Sequence, residues 1–291
     1  MSPLGSVTII PLRLLELYNI EAPELKLRIH KAVKNGRIDS CDFDKLWQEI
    51  SELIDDPCFA LKAAQIMQPT DIGIIGFYWL VAPNLYAALS KIKQYSSIIS
   101  EGITVEFIEN ETELTYVMRY PDNIALNPAR VDSAFSVLIE LCRVNYGPNF
   151  EIKSARFVHS VLKEKIIEYE NFFKAPVFFN QSVDSIVFNK KILLEPLLNF
   201  NKELAAFNNN LLEKTVLTKN KESISTKVEV IILEHLSTGQ VSEETIANLL
   251  AVSVRTLRRQ LSDEKTSFKF ILNNLRESSA KDYILSGKFS I

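Results

Sequence analysis

The chain has 291 residues, 47% of them hydrophobic and 24% charged, with a formal net charge of −3. That is globular composition with room for two domains, and it excludes disordered, fibrous and strongly polybasic classes. No apolar run approaches the ~18–20 residues of a membrane span, and the N-terminus lacks a basic stretch followed by a long apolar one. Cys41, Cys58 and Cys142 are odd in number and far apart, which reads as reduced thiols and leads us to expect a cytoplasmic protein.

In chain order, residues 8–67 read as helical. "IIPLRLLELY" is followed by "APELKLRIHKAVKNG", with Pro23 near its start and Gly36 past its end. "DFDKLWQEISELI" spaces Phe43, Leu46, Trp47, Ile50, Leu53 and Ile54 at helical intervals. "DDPCFALKAAQIM" opens with acids and Pro57, a helix start, and "PNLYAALSKIKQYSSII" gives a further helix. The period then changes to two: "ITVEFIE" and "ELTYVMRY", joined by "NET", predict a hairpin. A helix ending at Gly147 follows, then a strand in "EIKSARFVH", a helix in "LKEKIIEYENFF", short strands in "PVFF" and "DSIVFN", and helices in "KKILLEPLLNF" and "NKELAAFNNNLLEKTVL". The order predicts an α+β domain, helices plus a small mixed or antiparallel sheet, over 1–217. "TKNKES" lies in an expected linker at 218–224, and an all-α domain fills 225–291. From 241 onward there are 8 basic and 6 acidic residues, a mildly basic tail on an acidic body.

Within that tail, "SEETIANLL" and "SVRTLRRQL" joined by "AVS" have helix-turn-helix spacing. Ser242 and Ser253 are natural N-caps, and Ala247 is small where two helices would meet. On a wheel at ~100° per residue, Arg255, Arg258, Arg259 and Ser262 share one face, with Val254, Leu257 and Leu261 opposite. Three like charges this close gain nothing from one another; a polyanion neutralises them, and arginine reads guanine bidentately in the major groove. The second helix, about 254–262, is therefore the expected recognition helix.

The sequence A-x-x-L-x-V-S-x-R-T-L-x-R-x-L, from Ala247 to Leu261, resembles the first helix-turn-helix of AraC-type transcriptional regulators, and "TSF" (266–268) resembles that family's turn. Upstream, "GFYWLVAPNLYAALSKIKQYSSIISEGITVEF" and "FFKAPVFFNQSVDSIVFNKKILLEPL" are similar to the family's arabinose-binding type N-terminal domain. The resemblance implies promoter DNA as partner, a small-molecule effector in the N-terminal domain, a homodimer, and a second helix-turn-helix following Ile291. It implies base contacts from Arg255, Thr256, Arg258 and Arg259, and weaker phosphate contacts from Ser253, Ser262, Lys265, Lys269 and Arg276. The sequence departs from the family at Ala251, Ala82 and Asp184, where Gly, Ser and Asn are usual. Without the second motif, the expected alternative is a ligand-binding or dimerisation module with little DNA binding of its own.

Catalytic patterns are missing. His30, His159 and His235 are scattered, no His/Cys pair has metal-ligand spacing, and "GIIG" (73–76) lacks the third glycine of a dinucleotide site. The expectation is a non-enzyme without cofactor or metal, with no membrane partner and with effector contacts that sequence alone does not assign.

Overall fold

The computed structural model describes residues 5–36, 38–100, 103–120, 126–220, 224–235, 242–250, 252–264, 266–273 and 275. The chain separates into two compact units, Met1–Leu211 and Leu212–Ile291.

The first unit opens with α1 (Ile9–Leu17), α2 (Pro23–Asn35) and α3 (Ser40–Leu53). Pro23 sits in the first turn of α2, and Gly36 ends it at φ +76°, a left-handed conformation that glycine adopts without strain. The Asp39 carboxylate caps α3 by accepting from the Cys41 amide at 2.8 Å. As the spacing predicts, Phe43, Leu46, Trp47, Ile50 and Ile54 are buried, whereas Leu53 is exposed. The helix expected from Pro57 is instead a 3₁₀ turn (Phe59–Lys62) and one α turn, α4 (Ala63–Ile66). The chain leaves the helix at the extended Met67, and Gln68 stays extended ahead of Pro69, whose ring disfavours a helical residue before it.

The "GIIG" segment starts α5 (Ile74–Val81). A Cβ at Gly76 would lie 1.6 Å from the Pro69 carbonyl oxygen, so this glycine is there for a close backbone approach. Helix α6 (Leu85–Ile99) is capped by Asn84, which accepts from the Ala87 amide at 2.8 Å.

Strands β1 (Thr104–Glu109) and β2 (Glu113–Arg119) form the expected antiparallel hairpin. Its turn is fixed by Asn110 Oδ1, which accepts from the amides of Thr112 (2.9 Å) and Glu113 (2.8 Å). The sheet is completed by β3 (Ser154–Arg156), β4 (Val177–Phe178) and β5 (Asp184–Asn189), in the order β1-β2-β5-β3-β4. Only the β3–β4 pair is parallel, so the sheet is mixed. Asp184, at the start of β5, is buried and accepts from Tyr120 Oη (2.7 Å) and the Val158 amide (2.8 Å).

Helix α7 (Pro128–Tyr146), with Asn127 as cap and Pro128 in its first turn, is the long central helix. Phe135 on it stands 6.4 Å from the Tyr116 ring on β2 and 5.5 Å from Phe157 beyond β3. Helix α8 (Ile166–Phe173) precedes β4. Helix α9 is only Lys190–Leu194, because Pro196 follows the extended Glu195. Helix α10 (Lys202–Asn220) includes residues 218–220 of the expected linker, and 221–223 lie outside the described residues.

His159 is largely buried against α7. Its Nε2 lies 2.9 Å from Asp132 Oδ1, and Tyr169 Oη donates to Asp132 Oδ2 at 2.7 Å. Burial pulls the imidazole pKa down, but the hydrogen bond and charge of Asp132 outweigh it and the net direction is up. The folded value therefore exceeds the ~6.5 of an unfolded histidine. Its stabilisation is complete below that value and is lost as pH rises through the folded one. Urea denaturation should show stability falling as pH rises above about 6.5, and His159→Gln should flatten that decline. An unchanged slope in the variant would remove His159 from the account.

Candidate nucleic-acid interface

The second unit is helical in its described residues: α11 (Ile224–His235), α12 (Glu243–Leu249), α13 (Val254–Asp263), and helical backbone over 268–273. Ser242 Oγ accepts from the Thr245 amide and Ser253 Oγ from the Thr256 amide, each at 3.1 Å, so both expected serines cap their helices. Helix α12 ends with the Val252 amide donating to the Ala247 carbonyl at 3.0 Å, the long bond of a Schellman ending. Ala251 lies outside the described residues.

One apolar cluster holds the three helices: Val228 and Ile232 from α11, Ile246 and Ala247 from α12, Leu257 and Leu261 from α13. Ala247 is fully buried in it, where a larger side chain would hold α12 and α13 apart. Because Leu257 and Leu261 face this cluster, the turn geometry sends Arg255, Arg258, Arg259 and Ser262 to the exposed side of α13. Thr256 is half-buried, with its Oγ1 2.8 Å from Ser253 Oγ, and Ser253 and Lys269 are exposed. Lys265 and Arg276 fall outside the described residues.

The arginine face is not uniform. Arg258 Nε lies 3.1 and 3.0 Å from the two Glu243 carboxylate oxygens, and Nη2 lies 2.6 Å from Oε2. This fork joins the first turn of α12 to the middle of α13, and the carboxylate raises the arginine pKa further. Among the described residues, Arg255 and Arg259 have no such carboxylate partner. Nothing in the sequence spacing ties Glu243 to an arginine 15 positions on.

Glu264 was also missed. Its carboxylate accepts from the amides of Ile224 (2.8 Å) and Ser225 (2.9 Å), closing the first turn of α11 from the far end of α13.

In the first unit, a cavity of about 160 Å³ lies between α3, α6, α7 and the β1–β2 hairpin. The only grouping of metal-ligand type among the described residues is Asp56, Cys58 and Glu168. Burial and a hydrogen bond to Glu168 push the Cys58 thiol up to about 12, and Tyr18 Oη donates to Asp56. These contacts make the three side chains part of one hydrogen-bonded cluster. Among the described residues no helix is long and apolar enough to cross a membrane.

Residues 25–197 match the family described as the arabinose-binding domain of AraC transcription regulators, N-terminal. The chain is similar to the HTH-type transcriptional regulator VqsM of Pseudomonas aeruginosa, 26% identical over 239 residues, covering 76% of this chain and 70% of VqsM. It is also similar to the ornithine utilization regulator of the same organism, 22% identical over 255 residues and covering 86% and 74%. Among solved structures it resembles the transcriptional regulator CdpR from Pseudomonas aeruginosa, with a TM-score of 0.56 at 18% identity, covering 97% of this chain and 86% of CdpR. That last likeness is one of fold.

Glu264→Ala should lower the thermal stability of the second unit by about 1–2 kcal/mol, the usual effect of deleting a helix cap. Helical circular dichroism during thermal unfolding reads it. A change no larger than that of a solvent-facing Glu→Ala control would mean that the two amides are equally well served by water.

Proposed function

Because the chain belongs to the AraC transcription regulators with an arabinose-binding type N-terminal domain, we propose that it is a sequence-specific DNA-binding regulator. In this reading α13 enters the major groove and the first unit senses a small molecule. The observation that carries the reading is the sidedness of α13: Leu257 and Leu261 are buried while Arg255, Arg258 and Arg259 are exposed together behind a serine cap.

Arg255 and Arg259 are the primary base readers, because both are exposed and neither is engaged by a carboxylate among the described residues. Arg258 is held by Glu243, which competes with DNA for it, and Thr256 adds a contact from the first turn. Ser253, Ser262 and Lys269 flank this face and serve phosphates, with Lys265 and Arg276 further along the chain. Phosphate contacts of this kind set register and salt dependence, and base contacts set sequence. Leu204 and Phe207, exposed on the first-unit part of α10, support self-association as a homodimer.

The test uses duplexes selected from a random pool by the wild-type chain. Arg255→Ala and Arg259→Ala should each weaken binding by about 1–3 kcal/mol and relax preference at one base position. Glu243→Gln should strengthen binding several-fold by removing a negative charge facing the polyanion, an effect that shrinks with added salt. Unchanged affinity and preference in both arginine variants would overturn the recognition-helix assignment.

Phe207→Glu should shift the chain from dimer to monomer in sedimentation velocity. A wild-type chain that sediments as a monomer at every concentration tested would remove the dimer from the reading.

A further inference from the structure

We propose that a second hollow of the first unit binds an organic cation, an amine or guanidine on a short apolar body. The hollow is walled by the end of α3, the start of α7, the segment after β3, and α8. Calling that ligand an effector rests on the regulator reading above; the site itself rests on the size and charge of the hollow.

Its volume is about 590 Å³, within the roughly 300–1,000 Å³ of small-molecule sites. Three carboxylates line it, those of Asp55, Asp56 and Asp132, and among the described residues no lysine or arginine does. Lys165, within electrostatic reach of Asp56, is held by Glu168 at 2.6 Å. The one basic side chain in the wall is His159. Its Nε2 lies 2.9 Å from Asp132 Oδ1 and its Nδ1 lies 3.2 Å from the Ser160 carbonyl, so both ring nitrogens meet acceptors. Even as an imidazolium, His159 offsets a single carboxylate of the wall. A concave wall with an excess of one sign concentrates its field inside, because the low-dielectric protein around it screens little. That field favours a cation and repels an anion. By contrast, the walls of the 160 Å³ cavity are mainly apolar, and their one cation, Arg130, already donates to Asp44 at 2.7 Å.

The three acids are not equivalent. Asp132 is 3% exposed, and its two oxygens are engaged by His159 and Tyr169. Asp56 accepts from Tyr18 Oη and from the Cys58 amide. Asp55 is exposed and, among the described residues, makes no hydrogen bond or ion pair. It is the carboxylate left to pair with an incoming ammonium, with the other two acting through space. Ile54 and Phe59, buried, and Leu162, exposed, also line the hollow. These surfaces suit an apolar body attached to the charge; a small hydrated inorganic ion would leave them uncovered.

His159 reports on the hollow, and His30, exposed on α2, is the control. Their ring signals in long-range ¹H–¹⁵N spectra of the full chain are assigned with His159→Gln. Phenethylamine should move the His159 signals, leave those of His30 in place and lower the pH midpoint of the His159 titration. A further positive charge disfavours the imidazolium, against the pull of Asp132 on α7, itself bonded to Tyr169 of α8, and of Asp184 on β5. Phenethyl alcohol and phenylacetate, of similar size, should bind on the order of tenfold more weakly and leave the midpoint where it is. Asp55→Lys, which removes no folded-state partner, should weaken the amine on the order of tenfold or more. A silent His159 in phenethylamine, equal binding of the alcohol, or amine binding unchanged in Asp55→Lys overturns the site. Affinity for the selected DNA is measured in parallel. A moving His159 signal with unchanged DNA affinity keeps the site and removes its regulatory role. Intact DNA binding with a silent His159 removes the site and leaves the regulator reading standing.

Discussion

Helix α7 is buried along most of its length, and the polar side chains it brings into the core must find partners there. That requirement ties the first unit together. Arg130 reaches Asp44 on α3, Asp132 gathers His159 and Tyr169, Ser136 Oγ donates to the Ala60 carbonyl at 3.3 Å, and the Leu141 carbonyl accepts from Trp79. Each of these bonds joins α7 to an element distant in sequence. An unpaired polar group in their place would cost a few kcal/mol of desolvation, so the partners cannot be exchanged one at a time. The same helix carries Val137, Leu138 and Leu141 to the cavity wall. The position of that cavity thus depends on a hydrogen-bond network rather than on apolar packing alone.

The second unit solves a different problem with fewer parts. Three short helices have little surface to bury, so the two serine caps, the Glu264 cap and a small cluster around Ala247 and Leu257 fix them. Once Leu257 and Leu261 are inside, the helical repeat leaves the arginines no inward option. The fork from Glu243 adds a constraint that packing does not supply: it fixes the direction of one long side chain that would otherwise sample many rotamers.

Much of this was legible in the sequence because the relevant signals are local. Pro23 with Gly36, Asn127 with Pro128, the two-residue period of the hairpin, and Ser253 before the arginines each specify backbone within a few positions. Where reading failed, the cause was non-local or steric. The helix expected across Pro196 is cut short because that proline constrains the residue before it, and the stretch expected helical from Pro57 opens as a 3₁₀ turn. "GIIG" could be excluded as a dinucleotide site, but its real role, the approach of Gly76 to Pro69, depends on a fold not yet known. Glu243 and Glu264 make pairings between segments that only tertiary structure brings together. His159 gave no sign of Asp132, which lies 27 residues away on another element.

The apolar cavity of the first unit and the α13 face run on opposite physics, and that makes them separable. A guest in the apolar cavity of the first unit would be held by dispersion, so its affinity should be nearly indifferent to ionic strength. The α13 face meets a polyanion through arginines, and its affinity must fall steeply as counterion release loses its advantage. The Glu243–Arg258 pair belongs to the second class, being exposed and screened within a Debye length of ~8–10 Å. Salt therefore tunes the DNA face while leaving the cavity alone. Any coupling between them that survives a salt titration of the cavity guest has to travel through packing, with the α7 hydrogen-bond network as its point of departure.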